Sequence, residues 1–337
     1  MNVLSFVDGI TNWEVEIVRA IQAISNGFFD FIFKTITILG DQYFFIVLVA
    51  LLYWIVDKKF AHKFAMGFIA SSVVTGVVKV AADRLRPYQA YPYNETTKEG
   101  VKLIGPLEES SSFPSGHSTS TGSISSALFM GYNKKFKWLK WVLLAYMILI
   151  PISRLYLGVH YPTDVLTGLA IGVLVTFVTF KIVEKMGDKE HIWSLGIAGF
   201  FILAVILLES FLKNILFDDL TKQYDSLHDI YLAAGGFSAF LIGYYFEKKY
   251  VQMDVNNILL FQILKGVIGL GVAFGIQKGV GALFDLIQVD NLLLDFIRYF
   301  MIGIWAALLA PMLFKKLFSK KGNPNGDSKE ELLEVNE

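Results

Sequence analysis

The chain has 337 residues, of which 54% are hydrophobic, 15% aromatic and only 18% charged, which excludes an ordinary soluble protein and is typical of a polytopic membrane protein. Its formal net charge is zero, so no excess of cations is present for neutralising nucleic-acid phosphates, and we predict no nucleic-acid partner. The lack of cysteine excludes disulfides, thiolate catalysis and cysteine-ligated metals.

Residues 1–40 mix charged side chains with Val, Ile, Phe and Trp, a pattern that favours amphipathic helices lying at the membrane surface. One weakly hydrophobic span over about 13–38 is the alternative. This segment has neither a basic stretch nor a small-residue cleavage site, so we expect no removable signal peptide.

Nine membrane-spanning helices are predicted by the apolar segments that follow. They lie at about 42–56, 62–85, 116–132, 138–153, 163–184, 191–212, 229–246, 257–284 and 293–314. Pro151 predicts a kink or a break in the fourth of them. The predicted fold class is therefore all-α: a polytopic membrane helical bundle of about nine transmembrane helices, preceded by an N-terminal interfacial segment.

Lysines in the short loops predict the orientation of this bundle. The lysine-rich side carries Lys58, Lys59, Lys63, Lys134, Lys135, Lys137, Lys140, Lys181, Lys185, Lys189, Lys248, Lys249, Lys315, Lys316, Lys320 and Lys321. That side should be cytoplasmic, so the helix ends bearing Arg86, His117, Arg154 and His160 should face outward from the cell membrane, or into a lumen. The C-terminus should be cytoplasmic, and its polar tail is expected to be disordered.

The second predicted span ends near Lys79 and Arg86, which are about two helical turns apart and therefore project from one face. Pro87 disfavours helix at Arg86 and lets the guanidinium turn back across the helix end. A snorkelling anchor is the simpler interpretation of Lys79 taken alone. Asp83 and Arg84 are expected to be merely interfacial.

The stretch Pro114-Ser115-Gly116-His117 precedes an apolar helix rich in small residues. Pro suits a helix start, Ser115 can cap the helix, and Gly116 lets the backbone approach a ligand closely. The amides of Ser115, Gly116 and His117 are predicted to point at one spot and to form an oxyanion site. An ordinary helix start with an incidental histidine is the alternative.

His160 and Asp164 have the i, i+4 spacing that brings a carboxylate to an imidazole in a helical turn. Such a pair holds one ring N–H toward Asp164 and leaves the other nitrogen bare as a nucleophile or base. Arg154 emerges from a short apolar helix, where a guanidinium is costly unless an anion or partner neutralises it. His/Asp pairs of this spacing are mostly structural when they occur alone.

The three segments can form one site, because the predicted topology places all of them on one face of the membrane. Two arginines and a lysine can neutralise phosphate oxygens, backbone amides add to this, and two histidines can attack and donate a proton. The combination predicts a phosphoryl-transfer site at a membrane surface.

These segments resemble the tripartite motif of the type 2 phosphatidic acid phosphatases, whose superfamily includes vanadium haloperoxidases and glucose-6-phosphatases. The matching positions are Lys79, Arg86, Pro87, Pro114, Ser115, Gly116, His117, Ser153, Arg154, His160 and Asp164. The resemblance covers about residues 41–184. With the predicted helices it divides the chain into an amphipathic segment (1–40), a phosphatase core of five spans (41–188), a four-helix extension (189–316) and a tail (317–337).

The resemblance also implies a role for each residue. His160 would attack phosphorus to give a phosphohistidine, Asp164 would orient His160, and His117 would protonate the departing alkoxide and later activate water. The phosphate oxygens would be held by Lys79, Arg86, Ser115, Gly116 and Arg154. No metal or other cofactor is implied, and the sequence lacks carboxylates or histidines spaced as a metal site.

A site at the level of the outer headgroups favours a lipid phosphate or a polyprenyl pyrophosphate presented from the bilayer. A phosphatase for a soluble sugar phosphate and a lipid phosphotransferase are the enzymatic alternatives, whereas a membrane-embedded haloperoxidase is disfavoured. The loop from Tyr88 to Phe113 is expected to cover the site. A transporter with a phosphate-binding site is the non-enzymatic alternative. Its polar residues would be Lys265, Lys278, Glu209 and Arg298, which are more simply snorkelling charges at helix ends.

Overall fold

The structure is a computed structural model that describes residues 3–108, 110–212, 220–286 and 291–318. Over these ranges the chain is helical and contains no β-strand, so the predicted all-α class is confirmed. The helices are α1 (Val3–Gln22), α2 (Gly27–Thr37), α3 (Gln42–Leu51), α4 (Lys58–Ala82), α5 (Pro87–Ala90), α6 (Gly116–Tyr132), α7 (Leu139–Tyr156), α8 (Pro162–Met186), α9 (Glu190–Leu207), α10 (Leu220–Phe246), α11 (Leu259–Leu286), α12 (Leu292–Ile304) and α13 (Ala310–Phe318). Apart from its first two residues, the predicted tail at 317–337 lies outside the described ranges.

Helix length and apolarity indicate an integral membrane protein, as predicted. Among the described residues, five helical stretches could cross a membrane, and a sixth results if the bent pair Gly27–Ile38 and Gln42–Val56 forms one span. The five are Lys58–Ala90, Leu139–Tyr156, Pro162–Phe211, Leu259–Phe284 and Leu292–Phe318. Nine crossings are therefore not confirmed and stay a prediction. Of the kink or break predicted at Pro151, the break is wrong, because α7 continues through this residue, and the kink stays a prediction.

One compact unit comprises Met1–Ile46 and Met66–Ile182. The N-terminal helices belong to it: Val15 and Val18 of α1 lie in one apolar cluster with Leu155 and Val165. The predicted interfacial position of the N-terminal segment is not confirmed. A continuous helix over 13–38 is also excluded, because α2 begins anew at Asn26, whose side chain accepts hydrogen bonds from the first amides of α2.

Close packing of α6 against α8 brings the second and third motif segments together. A Cβ added at Gly168 would collide with the carbonyl oxygen of Ser115, and one at Gly172 would collide with that of Thr119. Glycine at these positions lets two helix backbones approach as they do at tight helix crossings in membranes. The start of α6, which carries His117, is thereby held beside the start of α8.

The second unit comprises Val47–Ala65 and Val183–Glu337. Indole groups fasten its helices, since Trp54 Nε1 donates to the carbonyl oxygen of Ala306 at 2.7 Å and Trp305 Nε1 to that of Gly269 at 2.8 Å. Lys265 of α11 is buried and donates to backbone carbonyls, so its interpretation as a snorkelling charge is wrong.

Candidate active site

Arg86 lies between α4 and α5 and is only 1% exposed. Its backbone is extended, as predicted from Pro87, and its guanidinium turns back into the protein. Nε donates to the carbonyl oxygen of Ser110 at 2.9 Å, and Nη1 donates to that of Val159 at 3.0 Å. The same Nη1 lies 3.4 Å from His160 Nε2. Arg86 therefore connects the first motif segment to the nucleophile predicted in the third.

Arg154 is placed equivalently beside the other histidine. It lies in the last turn of α7, is 1% exposed, and donates from Nη1 to Thr37 Oγ1 at 3.1 Å. Nη1 is also 3.5 Å from His117 Nε2. Its Nε is buried and has no hydrogen-bond partner within the described part of the chain. One guanidinium thus stands beside each imidazole, and a donor remains for a ligand.

A carboxylate joins the two guanidiniums. Glu108 Oε2 lies 2.7 Å from Arg86 Nη1, and Oε1 accepts a hydrogen bond from Arg154 Nη2. Burial by itself would raise the pKa of Glu108, but Arg154 and Arg86 together lower it to about 2. Guanidinium donors suit carboxylate and phosphate oxygens alike, so Glu108 presents the kind of anion that a substrate phosphate would present.

The imidazole of His160 has a defined tautomer. Nδ1 lies 2.8 Å from the carbonyl oxygen of Ser112, which can only accept, so Nδ1 must carry the proton. Nε2 is then bare and faces Arg86. Burial, with Arg86 and Arg154 nearby, lowers the pKa of His160 well below its ordinary value. A neutral imidazole with a bare Nε2 is the form that can attack phosphorus.

Asp164 does not orient His160 by the direct contact expected of an i, i+4 pair. The distance from its Oδ2 to His160 Nδ1 is 3.5 Å. This oxygen instead accepts from the hydroxyl of Ser112 at 2.5 Å and from the amide of Tyr161 at 2.8 Å. The carboxylate therefore holds Ser112, whose carbonyl oxygen holds the imidazole. The pair exists, and Ser112 links its members through its hydroxyl and its carbonyl oxygen.

The predicted oxyanion site at the start of α6 is smaller than expected. The amide of Ser115 donates to the carbonyl oxygen of Asp164 at 3.0 Å, so the prediction that it points at a ligand is wrong. Its hydroxyl accepts from the amide of Ser118 and caps α6, as predicted. Gly116 and His117 are in the first helical turn, where amides lack intrahelical acceptors, and the space beside Gly116 is open. These two amides still suit an oxyanion.

Lys79 contacts the loop that is predicted to cover the site. Its ammonium group donates to the carbonyl oxygen of Ser111 at 2.6 Å and lies 3.4 Å from Ser110 Oγ. Because Arg86 donates to Ser110 and His160 to Ser112, three motif residues fasten the same short segment. The predicted cover over the site is in this way part of its framework.

A cavity of about 560 Å³ opens beside His117 and Arg154. It is lined by Lys34, Thr37, Ile38, Asp41, Ile104, Gly105, Pro106, Glu108, His117 and Arg154. Asp41 Oδ2 lies 4.0 Å from His117 Nε2. Within the described ranges, no group of three or more histidine or carboxylate side chains is arranged to hold a metal ion.

Sequence reasoning missed Ser112 and Arg84 and gave Glu108 no role of its own. Arg84 was expected at the interface, but its side chain is only 23% exposed and donates to Asp164. The available signal was that a second arginine two positions before Arg86 sits at the end of an apolar helix. Nothing in the spacing indicates that Glu108 reaches both motif guanidiniums, because that contact depends on the loop conformation.

Comparison with known proteins identifies the family of this chain. A model of the PAP2 superfamily matches residues 60–188, and one described as PAP2 superfamily phosphatase, transmembrane extension, matches 231–322. An undecaprenyl-diphosphatase of Sulfolobus acidocaldarius is 30% identical over 173 residues, which are 50% of this chain and 76% of that relative. The chain therefore belongs to the PAP2 superfamily, and the resemblance seen in its motif is confirmed.

Other relatives match over shorter parts. A lipid A 4'-phosphatase of Porphyromonas gingivalis is 30% identical over 122 residues, so 31% of this chain matches 50% of that protein. The solved structure of LpxE from Aquifex aeolicus has 26% sequence identity and a TM-score of 0.43, covering 49% of this chain and 93% of that one.

Proposed function

We propose that the protein is a metal-independent integral-membrane phosphatase that hydrolyses a lipid phosphate or a polyprenyl pyrophosphate through a phosphohistidine. One observation carries the proposal: Arg86 and Arg154 share a single carboxylate, and each also lies within 3.5 Å of Nε2 of one histidine, His160 or His117. An anion bound by both guanidiniums would be flanked by both imidazoles.

In the first step, the phosphate displaces Glu108 and its oxygens bind Arg86, Arg154 and the first amides of α6. His160 Nε2 attacks phosphorus while the bond from phosphorus to the leaving oxygen breaks. His117, protonated beside the bound dianion, gives its proton to that oxygen. The two guanidiniums stabilise the charge of the five-coordinate transition state.

In the second step, a water molecule takes the place of the leaving group. His117 is now neutral and accepts a proton from this water as its oxygen attacks phosphorus and the bond from phosphorus to His160 Nε2 breaks. Inorganic phosphate is the product. His160 returns to its starting tautomer because its proton has stayed on Nδ1 throughout, where it is donated to the carbonyl oxygen of Ser112.

The cavity beside His117 supports a lipid as the leaving group. The acid must stand next to the departing oxygen, and the apolar residues Ile38, Ile104 and Pro106 line the cavity there. The names of the relatives, an undecaprenyl-diphosphatase and a lipid A 4'-phosphatase among them, favour the same class.

The lysine-rich loops support a cytoplasmic C-terminus and a site that faces outward from the cell membrane. We infer nine crossings in total, with a core at 41–188, an extension at 189–316 and a tail at 317–337. Inserted glycosylation or cysteine-labelling sites in the loops would test this arrangement.

The activity is tested by phosphate release from the purified full chain in detergent with excess EDTA. The substrates are phosphatidate, phosphatidylglycerol phosphate, undecaprenyl diphosphate, lipid A and glucose 6-phosphate, and the His160→Ala protein serves as background. We expect release from at least one lipid and little from glucose 6-phosphate, and a labelled substrate should not pass its phosphate to a second lipid.

Each other outcome would correct a different part of the proposal. Preferred release from glucose 6-phosphate would replace the substrate class, and label in an acceptor lipid would make the protein a phosphotransferase. Loss of activity in EDTA that Mg²⁺ restores would contradict the metal-independent mechanism. No release from any substrate would favour a transporter.

A further inference from the structure

A charged network that includes Arg84 and Glu14, neither of which is a motif position, extends from the nucleophile to the N-terminal helix. Its centre is Arg84, whose Nη1 donates to Asp164 Oδ1 at 2.7 Å and to Thr163 Oγ1 at 2.9 Å. Nη2 donates to Glu14 Oε2 at 2.5 Å. The guanidinium lies 3.9 Å over the ring of Tyr161, which limits its orientation. One arginine thus links two carboxylates from different helices.

Glu14 is a fully buried carboxylate of α1. Its second oxygen accepts from the amide of Thr163 at 2.9 Å and from the hydroxyl of Thr163 at 2.5 Å. Thr163 is in the first turn of α8, where the amides lack intrahelical acceptors and a negative charge is favourable. Glu14 therefore caps α8 and holds Arg84 at the same time.

The network continues from Asp164 to the imidazole of His160. The other oxygen of Asp164 accepts from the hydroxyl of Ser112, and the carbonyl oxygen of Ser112 accepts from His160 Nδ1. Ser112 also contacts Arg84 directly, because its amide donates to the carbonyl oxygen of Arg84 at 2.8 Å. Displacing Arg84 would free both Asp164 and the segment that fixes the tautomer of His160.

We propose that Arg84 and Glu14 are positioning residues of the phosphatase: they hold Asp164 and Ser112, and thereby keep Nε2 of His160 bare and aimed at phosphorus. The proposal rests on the function proposed above. It also gives α1 a part in the reaction, although α1 contributes no motif residue.

The test uses paired substitutions in the full chain, because removing Arg84 alone would leave two buried carboxylates without their shared cation. The double variant R84M/E14Q removes the link between α1 and Asp164 and leaves the net charge of the network unchanged, because only the carboxylate of Asp164 remains charged. We expect kcat to fall about 100-fold, as a small misplacement of a reacting group can do, while KM changes less than about threefold because Arg86 and Arg154 are untouched. The matched control is R19M/E16Q, which removes an exposed ion pair from the same helix and should keep kcat within about twofold.

Repeating the substitutions in a D164N protein tests whether the fall in kcat depends on Asp164. In a D164N protein the same R84M/E14Q change should lower kcat less than about tenfold, because residues acting as one unit are not additive. Unchanged kcat in a folded R84M/E14Q protein would overturn the proposal. An equal loss in both backgrounds, or a rise in KM alone, would also overturn it.

Nitrogen NMR of ¹⁵N-labelled histidine measures the tautomer of His160 and needs no substrate turnover. It therefore tests this inference separately from the proposed function. The resonances of His160, assigned by their loss in His160→Ala, should report a single Nδ1–H tautomer in the unsubstituted protein and a mixture in R84M/E14Q. A single unchanged tautomer in the variant would refute the positioning role, whatever the substrate panel gives.

Discussion

The two compact units both bury charged side chains, but they neutralise them differently. In the unit that contains the C-terminal helices, buried Glu247 pairs with Lys58 at 2.6 Å and buried Glu190 pairs with Lys248 at 2.6 Å. In the other unit, Arg86 and Arg154 share the one carboxylate of Glu108. The pairs leave no net charge, whereas the shared carboxylate leaves an excess of positive charge beside two imidazoles and a cavity.

The function of a buried charge in a membrane protein therefore depends on how many partners of opposite charge it has. A buried cation with one matching anion contributes to packing, and a phosphate could reach it only by breaking that pair. Two guanidiniums that share one anion can exchange it for another. Of the transporter residues suggested by the sequence, Arg298 falls in the first group, since it pairs with Asp295 at 2.5 Å.

The largest effect should come from His160→Ala, which removes the nucleophile of the charged cluster. We expect kcat to fall by at least about 10,000-fold and the acid-labile phosphoenzyme to disappear, measured by phosphate release and by rapid quenching. The control is His191→Ala in the other unit, which should keep full turnover. Substantial hydrolysis by the His160→Ala protein would contradict the assignment of the nucleophile.

His117→Ala should have the next largest effect, and the effect should depend on the leaving group. For a lipid phosphate we expect kcat to fall about 100- to 10,000-fold, because the departing alkoxide lacks a proton donor. With p-nitrophenyl phosphate, whose leaving group needs no proton, phosphoenzyme formation should slow much less. Equal losses for both substrates in single-turnover experiments would show that His117 acts elsewhere.

Glu108→Gln should strengthen anion binding, because the neutral amide competes less well for Arg86 and Arg154. We expect the inhibition constant of vanadate to fall about tenfold. The lowered pKa of Glu108, about 2, keeps the carboxylate ionised at neutral and mildly acidic pH, so the difference should persist from about pH 5 to 9. Glu95→Gln, an exposed acid of the same loop, is the matched control. Weaker vanadate binding by the Glu108→Gln protein would refute the competition.

The smallest effect on activity should come from Lys58→Met in the other unit. It leaves buried Glu247 without its partner and should lower the free energy of unfolding by about 3 kcal/mol, seen as a lower Tm in detergent. The turnover of the folded fraction should stay the same, and the double variant K58M/E247Q should recover much of the stability. A fall in kcat at unchanged Tm would erase the distinction between the two units.

Much of this arrangement was predictable because it depends on local patterns. The predicted helix at 116–132 coincides with α6, and the extended backbone of Arg86 follows from Pro87. Ser115 caps α6, as its position directly before the helix predicts. Its amide, however, donates to the carbonyl oxygen of Asp164, which lies 49 residues later and reaches Ser115 only through close helix packing. Contacts between segments that are distant in sequence cannot be predicted from the spacing of residues within one segment.

The same reason explains why Glu14 was overlooked. A carboxylate among Val and Ile in an amphipathic helix predicts a headgroup contact, and only the packing of α1 on α7 and α8 buries it. The described helices that meet the length and apolarity limits number fewer than the nine predicted spans, in part because two predicted spans, 163–184 and 191–212, fall in one continuous stretch, Pro162–Phe211.

The loop carboxylate that joins the two guanidiniums also affects the end of each catalytic cycle. Glu108 is tethered to the chain, so its effective concentration at Arg86 and Arg154 is set by the loop and not by the surrounding solution. Free inorganic phosphate at low concentration must compete with this built-in ligand in order to rebind. The protein should therefore release its product readily and resist inhibition by phosphate that accumulates in the surrounding solution.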